Sequence, residues 1–522
     1  MTNTGMAQRP RTRVQVLLTA AEAFPALERA FLEARTEIRG SFRIFDPTTR
    51  LRSPEAQAVG ETWFDLILHT LRRGVAITLV ISDFDPIARA TLHRGTWKSV
   101  RMLRAAAELA GPEARLSVTP AMHAAETGVL PRLLFWPQIM KKLTRSAGWL
   151  NRLPPVEQEA ALRDMPGLAE RLWRAPNGRY RPRLAYLPRL FPATHHQKLA
   201  VFDRRKLYIG GLDLDERRYD TPDHDRPGKE TWHDVQLMME GPVVAEAQAH
   251  LESFLAVVEG KQPPGPQRRL LRTLSRRRRF EAPFFGPEPV VHEIATAHAA
   301  LARRTDRLIY IETQFFRDRH LAHLLAGLAR EKPELQMILI LPAAPEDVAF
   351  EGRDGMDARY GEYLQARALR ILRRGFGPRL FVGGAAQPRA QRKTGGHDRD
   401  RLNGAAIIYV HAKVSVFDED AAIVSSANLN GRSLKWDTEA GVYLNTAREV
   451  AELRRRVMAH WLPTDAGPAF FDQATALQAW SHLAWQNASL PPAERQGFIL
   501  PYDMKAAAAF GRALPGVPPE MM

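Results

Sequence analysis

Hydrophobic and polar positions along the chain fall into two stretches with similar layouts. In the first stretch, residues 20–37 and 61–74 have the apolar spacing of amphipathic helices, and the segment FRIFDP (42–47) lies between them. VAITLVIS (75–82) follows and is almost continuously apolar, which is typical of a strand that is covered on both faces. This order of elements predicts an α/β unit.

The second stretch repeats this order further along the chain. Residues 290–305 have helical spacing, DRLIYIETQFF (306–316) reads as a strand, a helix is predicted near 318–330, and LQMILILP (335–342) reads as a second strand. Because strands alternate with helices in both stretches, we expect an α/β sheet in each half of the chain.

The N-terminal region bears on localisation. VQVLLTAAEA (14–23) follows basic residues, as in a signal peptide, but Gln15 interrupts the apolar run and the next residues have helical spacing. An amphipathic first helix is therefore favoured, and no apolar run reaches the roughly 18 residues of a spanning helix. We expect a cytoplasmic or peripheral membrane protein, with secretion without a recognisable signal as the alternative.

Charge and cysteine content restrict the chemistry. The 522 residues include 74 Lys and Arg against 58 Asp and Glu, a formal net charge of +16, and no Cys. The basic excess predicts an anionic partner, such as a phosphate-bearing substrate, nucleic acid or an acidic membrane surface. The lack of Cys excludes disulfides, thiolate zinc sites and a cysteine nucleophile.

The main chemical signal is an internal repeat. HQKLAVFD (196–203) and HAKVSVFD (411–418) share the pattern H-x-K-x₄-D, and each is followed after six residues by GGLD (210–213) or SSAN (425–428). Every matched position is offset by 215 residues. One such motif is expected by chance about 10⁻² times in a chain of this length, so two matched copies are a strong signal.

The spacing within the motif suggests a phosphate site. Residues two apart on a strand share a face, so His196 projects with Lys198, and His411 projects with Lys413. The small residues after each motif allow the close backbone approach that an oxyanion needs. One copy supplies half of a phosphate cradle, and two facing copies supply a whole one.

This arrangement resembles the phospholipase D superfamily, whose hallmark is two H-x-K-x₄-D motifs. GGLDL (210–214), TWHDVQLMMEGPVV (231–244), IYIETQFF (309–316) and SSANLNGRSLKWDTE (425–439) also resemble segments of that family. The resemblance implies two similar α/β sandwich domains, each with a central mixed sheet flanked by helices. They would form a pseudo-two-fold pair with the active site between them. The first copy departs from the common pattern at Gly211 and Asp213, where many members have Ser and Asn.

The resemblance also implies a two-step phosphoryl transfer through a phosphohistidine intermediate. It places the nucleophile at His196 and the general acid and base at His411, although the sequence itself does not assign these roles. Lys198 and Lys413 would neutralise the phosphate oxygens. The predicted phosphate-binding residues are Asp213, Ser426 and Asn428. No cofactor is implied.

Four carboxylates have predicted roles around these histidines. Asp234 lies 38 residues after His196, and Glu439 lies 28 residues after His411, so each is expected to orient a histidine. The motif carboxylates Asp203 and Asp418 lie at an odd spacing from their histidines. They are therefore expected to be structural and not to contact the substrate.

No metal ion is expected. His224 and His233 lie close to several carboxylates in the sequence, but no spacing there matches a known zinc site well.

The predicted domains follow from the repeat. Residues 1–259 form the N-terminal phospholipase D-like half, with an insert at about 121–194, and residues 290–460 form the C-terminal half. The Pro- and Arg-rich segment 260–289 between them is a predicted basic linker, and 461–522 a C-terminal extension.

The leading functional hypothesis is a phospholipase D that hydrolyses the distal phosphodiester bond of glycerophospholipids, phosphatidylcholine by default, with transphosphatidylation to alcohols as a further outcome. The alternatives are another phosphodiesterase of the superfamily (a nuclease or a phospholipid synthase) or a catalytically inactive lipid-binding scaffold. The segments 130–145 and 260–289 mix apolar and basic residues and could contact an anionic membrane surface. A monomer without a transmembrane segment is expected, and nucleic acid is not expected as a partner.

Overall fold

The computed structural model describes residues 12–184, 187–390 and 398–522, whose helices and strands form two halves. The first half contains β1 (Arg13–Leu18), α1 (Thr19–Glu33), β2 (Glu37–Phe42), α2 (Pro54–Gln57), α3 (Trp63–Arg72), β3 (Ala76–Ser82), α4 (Ala90–Ala110), β4 (Leu116–Ala121), α5 (Val129–Leu134), α6 (Trp136–Leu150), α7 (Pro155–Arg163), α8 (Pro166–Ala169), β5 (Leu172–Arg174), β6 (Tyr180–Pro182), β7 (Leu199–Phe202), β8 (Lys206–Gly210), β9 (Val235–Glu240) and α9 (Val243–Val258). The second half contains β10 (Leu270–Arg276), β11 (Glu288–His292), α10 (Glu293–Arg304), β12 (Leu308–Thr313), α11 (Arg319–Glu331), β13 (Gln336–Leu341), α12 (Glu346–Ala349), α13 (Met356–Phe376), β14 (Leu380–Ala390), β15 (Arg401–Leu402), β16 (Ala405–Ile407), β17 (Lys413–Phe417), β18 (Ala421–Ser425), α14 (Gly431–Lys435), β19 (Glu439–Leu444), α15 (Ala447–Trp461), α16 (Ala476–Ser489), β20 (Ile499–Pro501) and α17 (Met504–Phe510).

The two central sheets repeat one strand order. The first runs β1-β9-β8-β7-β2-β3-β4, and the second contains β10-β19-β18-β17-β12-β13-β14 in the matching places. In both sheets the last two pairings are parallel and the others antiparallel. The protein is therefore α/β, with two similar domains that each have a mixed sheet flanked by helices.

A shared hydrophobic core fixes the two halves against each other. The largest cluster of buried apolar side chains contains Val201 and Leu237 from the first sheet together with Val416 and Val442 from the second. Separate clusters lie under the outer helices of each half. Because packed interiors resist sliding, this common core holds the facing strands of the two sheets in a defined relation.

The elements match the sequence expectations with instructive exceptions. Residues 14–18, expected at the start of the first helix, belong to strand β1, which pairs with β9 at the sheet edge. Val14 and Val16 alternate in burial with the exposed Gln15, which is a strand pattern. Strand β2 also precedes the segment 42–47 and includes only its first residue.

The segment expected to be a linker also contributes to the fold. Leu270–Arg276 forms β10, which pairs with β19 inside the second sheet. The C-terminal extension adds β20, which pairs with β14. Both segments carry apolar residues that complete the second sheet. The strand in the predicted linker was not expected because the segment around it is rich in Arg and Pro.

The insert packs as a small helical unit. Helices α5 to α8 surround a core of their own, built on Ile139, Leu143, Leu150 and Leu168. In the part of the chain that the structure describes, no helix combines the length and apolar character needed to cross a membrane.

Candidate active site

Each H-x-K motif lies at the start of a central strand. His196 precedes β7 by three residues, and His411 stands two residues before Lys413, the first residue of β17. The Lys198 ammonium donates to the main-chain oxygen of His196 at 2.7 Å and lies 3.2 Å from the Nδ1 atom of its ring. Lys413 makes the same two contacts with His411. The repeated sequence thus gives two histidine–lysine pairs of similar geometry.

Main-chain hydrogen bonds join each histidine to the opposite half. The amide of His196 donates to the carbonyl of Thr438 at 2.8 Å, and the amide of His411 donates to the carbonyl of His233 at 2.8 Å. Thr438 directly precedes Glu439, and His233 directly precedes Asp234. These bonds therefore bring each histidine beside the carboxylate of the other half.

The carboxylates contact the histidines in this crossed manner. His196 Nδ1 lies 3.1 Å from an oxygen of Glu439, and His411 Nδ1 lies 2.6 Å from Oδ2 of Asp234. The contacts therefore run between the two copies of the motif and not within one copy. The strand order explains why: β8 separates β9 from β7, so Asp234 lies two strand spacings, about 10 Å, from the motif strand of its own half.

All six charged or titratable groups of this arrangement are shielded from water. The side chains of His196 and His411 are 13% and 7% exposed. Burial lowers the pKa of both rings, and the adjacent lysine lowers it further, so both imidazoles are neutral near pH 7. Burial also lowers the pKa of Lys413 to about 7, against the attraction of Asp234, and raises the pKa of Asp234 to about 6.

The residues that follow each return strand differ in their contacts. The hydroxyl of Ser426 donates to Glu439 and accepts from the amide of Ala440. Its predicted phosphate role therefore competes with an existing partner. At the matching position, Gly211 lies against Asp234, and a Cβ atom there would collide with that carboxylate.

Asp213 and Asn428 occupy the other matched position. Asp213 accepts from Arg43 at 3.3 Å and from the amide of Ile44 at 3.1 Å. Burial alone would raise the pKa of Asp213, but Lys198 and Arg43 outweigh it and hold the pKa below its ordinary value. Asn428 donates instead to Gln314 at 3.1 Å. Asp213 thus neutralises cations beside the site, whereas Asn428 adds a neutral amide.

Three residues beside the site had no predicted catalytic role. Arg43 reaches it from the end of β2. Trp232 stacks beside the ring of His411, with centroids 4.5 Å apart, and the guanidinium of Arg218 lies 3.7 Å from the Trp232 ring centroid. Trp232 is buried between these groups, as expected of a packing residue. Arg43 lies far from both motifs in sequence, and Arg218 follows the first motif at a position that no repeated pattern marks, so spacing did not identify either residue.

The motif carboxylates lie at the far ends of the same strands. Asp203 accepts hydrogen bonds from the amides of Arg35, Thr36 and Glu37 at 2.8 to 3.0 Å. Asp418 accepts in the same way from the amides of residues 306–308. Each carboxylate therefore holds the loop that enters the neighbouring strand, β2 or β12.

Within the described residues, one group of histidines has the spacing of metal ligands. His224, His233 and His460 each place one ring nitrogen within 4.8 Å of the others, and His233 directly precedes Asp234.

Comparisons with known proteins agree with the motifs. Residues 301–461 match the family model described as cardiolipin synthase, PLD-like domain. Phospholipase D alpha 1 from Carica papaya is 24% identical over 357 aligned positions, which cover 46% of this chain and 44% of the relative. Phospholipase D zeta 1 from Arabidopsis thaliana is 28% identical over 231 positions, covering 39% of this chain and 20% of the relative. The chain thus spans less than half the length of the curated relatives that it matches.

Two solved structures were also compared with the chain. Phosphatidylserine synthase from Haemophilus influenzae Rd KW20 is 13% identical with a TM-score of 0.45, covering 91% of this chain and 93% of that one. Polyphosphate kinase from Porphyromonas gingivalis is 9% identical with a TM-score of 0.40, covering 85% and 49%. The paired motifs, the family model over residues 301–461 and the curated relatives together support membership of the phospholipase D superfamily.

Proposed function

We propose that the protein is a phospholipase D that hydrolyses the distal phosphodiester bond of glycerophospholipids, with phosphatidylcholine as the default substrate. The observation that supports this most is the crossed arrangement, in which each histidine has a lysine at its side and a carboxylate of the opposite half at Nδ1. Two cations and two oriented imidazoles in a shielded site suit a phosphodiester.

The first step uses the ring nitrogens that the carboxylates leave available. Because Glu439 holds Nδ1 of His196, its Nε2 is the atom that attacks phosphorus. A P–N bond forms and the P–O bond to the head group breaks. His411 donates a proton from Nε2 to the departing oxygen while Asp234 supports the ring at Nδ1. The free head-group alcohol and a phosphatidyl-histidine result.

The second step reverses the proton movements. His411, now neutral, takes a proton from water, whose oxygen attacks phosphorus. The P–N bond breaks and phosphatidate leaves. An alcohol in place of water gives a phosphatidyl ester, which is transphosphatidylation. The charge of a bound phosphodiester raises the pKa of a nearby imidazole, and this supplies the protonated His411 that the first step needs.

The phosphate oxygens are assigned to the two lysines and to Asn428. The ammonium groups of Lys198 and Lys413 neutralise the negative charge, and the side-chain amide of Asn428 can turn from Gln314 to donate. Ser426 and Asp213 are assigned positioning roles instead, through Glu439 and Arg43.

The substrate surface is proposed to be an anionic membrane, approached through an apolar–basic face. This face combines helix α5 with the loop 280–284, which are joined by hydrogen bonds from Gly128 to Phe284 and from Leu130 to Ala282. Its exposed apolar side chains are Leu130, Leu133, Leu134, Phe280 and Phe284. Exposed basic residues flank it along the chain: Lys141, Lys142 and Arg145 lie on the following helix α6, and Arg277 and Arg279 lie just before the loop. Apolar insertion next to cationic side chains is the combination that binds anionic bilayers.

The activity is tested with phosphatidylcholine vesicles in buffer containing ethanol. Release of choline with formation of phosphatidate and phosphatidylethanol is expected. The same assay with phospholipids that carry other head groups then measures the head-group preference of the enzyme. Cleavage of single-stranded DNA without lipid turnover would replace the proposal with a nuclease, and vesicle binding without either reaction would replace it with a scaffold.

The membrane face is tested by sedimentation with vesicles that contain anionic lipid. L130D/L133D is expected to lower vesicle binding about tenfold while cleavage of a soluble short-chain substrate is unchanged. The matched control is Val156→Asp, since Val156 is 79% exposed but lies outside the apolar–basic face. Equal vesicle binding by the double variant, the control and the parent protein would remove this face from the proposal.

A further inference from the structure

Three histidines meet next to the segment that carries Asp234, two from the first half of the chain and one from the second. His224 lies in the loop before β9, His233 lies two residues before β9, and His460 lies near the end of α15. One ring nitrogen of each lies within 4.8 Å of the others. His224 Nε2 and His460 Nε2 are 2.9 Å apart, and the rings of His233 and His460 stack with centroids 4.4 Å apart.

The three ring nitrogens lie close enough together for one ion to reach all of them. His233 and His224 are buried, and Nδ1 of His233 finds no hydrogen-bond partner among the described residues. Leaving a buried polar atom unpaired costs about 1–3 kcal/mol, so a ligand there would remove a penalty. With Asp220 at Nδ1 of His224, Nε2 of His224 accepts a hydrogen bond from Nε2 of His460, and a shift of the His460 proton to Nδ1 lets both Nε2 atoms donate lone pairs to one cation.

Two buried carboxylates contact the other ring nitrogens of His224 and His233. Asp220 contacts Nδ1 of His224 at 2.6 Å, and Glu312 contacts Nε2 of His233 at 3.1 Å. A carboxylate on the far nitrogen of a ligating histidine fixes the tautomer and the ring orientation of a metal ligand. The two negative charges also balance a divalent cation. Glu312 is itself held by Tyr310 and Trp461.

We propose that His224 Nε2, His233 Nδ1 and His460 Nε2 hold one divalent transition-metal ion, with zinc as the first candidate. Three neutral imidazoles suit zinc, whose N–Zn bonds of about 2.0–2.1 Å require the ring nitrogens to approach one another and the stacked rings of His233 and His460 to turn. His460 is only partly buried, so the ion can enter on that side and take water as its fourth ligand.

The ion would join the two halves of the protein. His224 and His233 belong to the first half and His460 to the second. The main chain of His233 is bonded to Tyr409 and His411, and the next residue is Asp234. A metal bound here therefore fixes the segment that carries Asp234, but it does not contact the phosphate. The role is structural, and it is independent of the substrate proposed above.

Local spacing did not identify this site, because the third ligand, His460, lies 236 residues after His224. The expectation that no metal binds near His224 and His233 rested on local spacing alone.

The test measures metal binding and stability of the full chain without any activity assay. Protein stripped with a chelator is titrated with zinc chloride by calorimetry, and its metal content is measured after dialysis. One zinc per chain and a higher Tm with zinc are expected. Cobalt in place of zinc should give the visible absorption of a tetrahedral nitrogen-ligated ion.

The variants His460→Ala and His460→Gln are expected to lose zinc binding and the zinc-dependent rise in Tm. His482→Ala, which removes an exposed histidine on α16, is the matched control and should keep both. Circular dichroism of the chelator-treated proteins establishes that the variants fold. If the parent binds no more zinc than folded His460→Gln, the histidines form a hydrogen-bonded cluster only and the proposal is overturned.

Discussion

The two half-sites share a backbone but complete it with different side chains. In both, a strand begins at the lysine motif, a hairpin returns, and a third strand carries the carboxylate. In the second half Ser426 donates to Glu439, whereas in the first half Gly211 only makes room for Asp234. Glu439 is thus shared between His196 and a hydroxyl, while Asp234 has a shorter contact with His411. The two copies thus keep the same strand arrangement, and substitutions at single positions give the two histidines different surroundings.

A glycine lets the return strand approach its neighbour closely in both halves, but it lies on a different strand in each half. Gly210 of β8 faces Gln236 of β9, and Ser425 of β18 faces Gly441 of β19. A Cβ atom on either glycine would collide with its partner strand. Each half therefore needs one glycine at this pairing, but places it on the opposite strand. Similar packing was reached by different substitutions.

The largest expected effect separates the two histidines. His196→Ala and His411→Ala should each lower turnover of phosphatidylcholine by about 10⁴-fold or more. A lipid with a p-nitrophenol head group needs no proton on its leaving oxygen, so the first step should survive in His411→Ala but not in His196→Ala. Release of p-nitrophenol in a stopped-flow burst distinguishes them. His323→Ala, an exposed histidine on α11, is the control. A burst in His196→Ala and none in His411→Ala would exchange the two roles.

The crossed pairing predicts the next largest effect. Asp234→Asn and Glu439→Gln should lower kcat by about 10²- to 10⁴-fold, because each histidine loses its orienting anion. The two substitutions are then made in the His411→Ala variant, and the rate of p-nitrophenol release is measured. Asp234→Asn should lower that rate little further, since Asp234 acts through the His411 ring, whereas Glu439→Gln should lower it as much as in the parent protein. Coupling of Asp234 to His196 instead of His411 would contradict the crossed geometry.

A smaller effect is expected where the halves differ. Ser426→Ala should lower kcat/KM about tenfold by removing a hydrogen bond to Glu439, which is worth about 1–1.5 kcal/mol. Gly211→Ser should lower it by more, since the new Cβ displaces Asp234. Gly467→Ser, at a glycine with open space around it, is the control. If Gly211→Ser were as active as the control, the difference between the half-sites would have no bearing on catalysis.

The smallest effects are expected on stability at the motif carboxylates. Asp203→Asn and Asp418→Asn should each lower the free energy of unfolding by about 1–3 kcal/mol, with activity per folded molecule little changed. Burial opposes ionisation of Asp203, but the hydrogen bonds from Thr36 and Glu37 prevail and lower its pKa. Ionised Asp203 therefore contributes to the free energy of unfolding at pH values above the ordinary carboxyl pKa of about 3.9. This contribution is lost as the pH falls below that value and the carboxylate becomes protonated. Urea unfolding at pH 7 and pH 3 measures this. A large loss of kcat in either variant would place that carboxylate in the site.

The sequence predicted the duplicated α/β frame because apolar runs and the repeated motif are local signals. VAITLVIS and LQMILILP became the parallel strands β3 and β13, and the hairpins followed each motif. The strand at residues 14–18 and the strand inside the basic segment were missed. Residues 14–18 were assigned to a helix because the residues after them have helical spacing. The strand Leu270–Arg276 was not recognised because the segment around it is rich in Arg and Pro.

The contacts that cross between the halves could not be predicted in this way. The sequence names His196, His411, Asp234 and Glu439, but their pairing depends on how two sheets face each other, and no spacing within one copy encodes that. Arg43 was missed for a different reason, because it meets its partner within the first half through strand order and not through local spacing. Its contact with Asp213 joins residues 170 positions apart.

The crossed carboxylates make the two halves chemically dependent on one another. A fragment that ends near residue 265 would keep His196 and Lys198 but leave Glu439 behind, and the complementary fragment would keep His411 without Asp234. Cutting the chain there should therefore abolish activity, and mixing the fragments should restore it only as they reassociate. A symmetric dimer of single-motif subunits would satisfy the same dependence, with each subunit lending its carboxylate to the other. Fusing such subunits into one chain would then have freed each copy to change alone, as the residues after the two return strands have done.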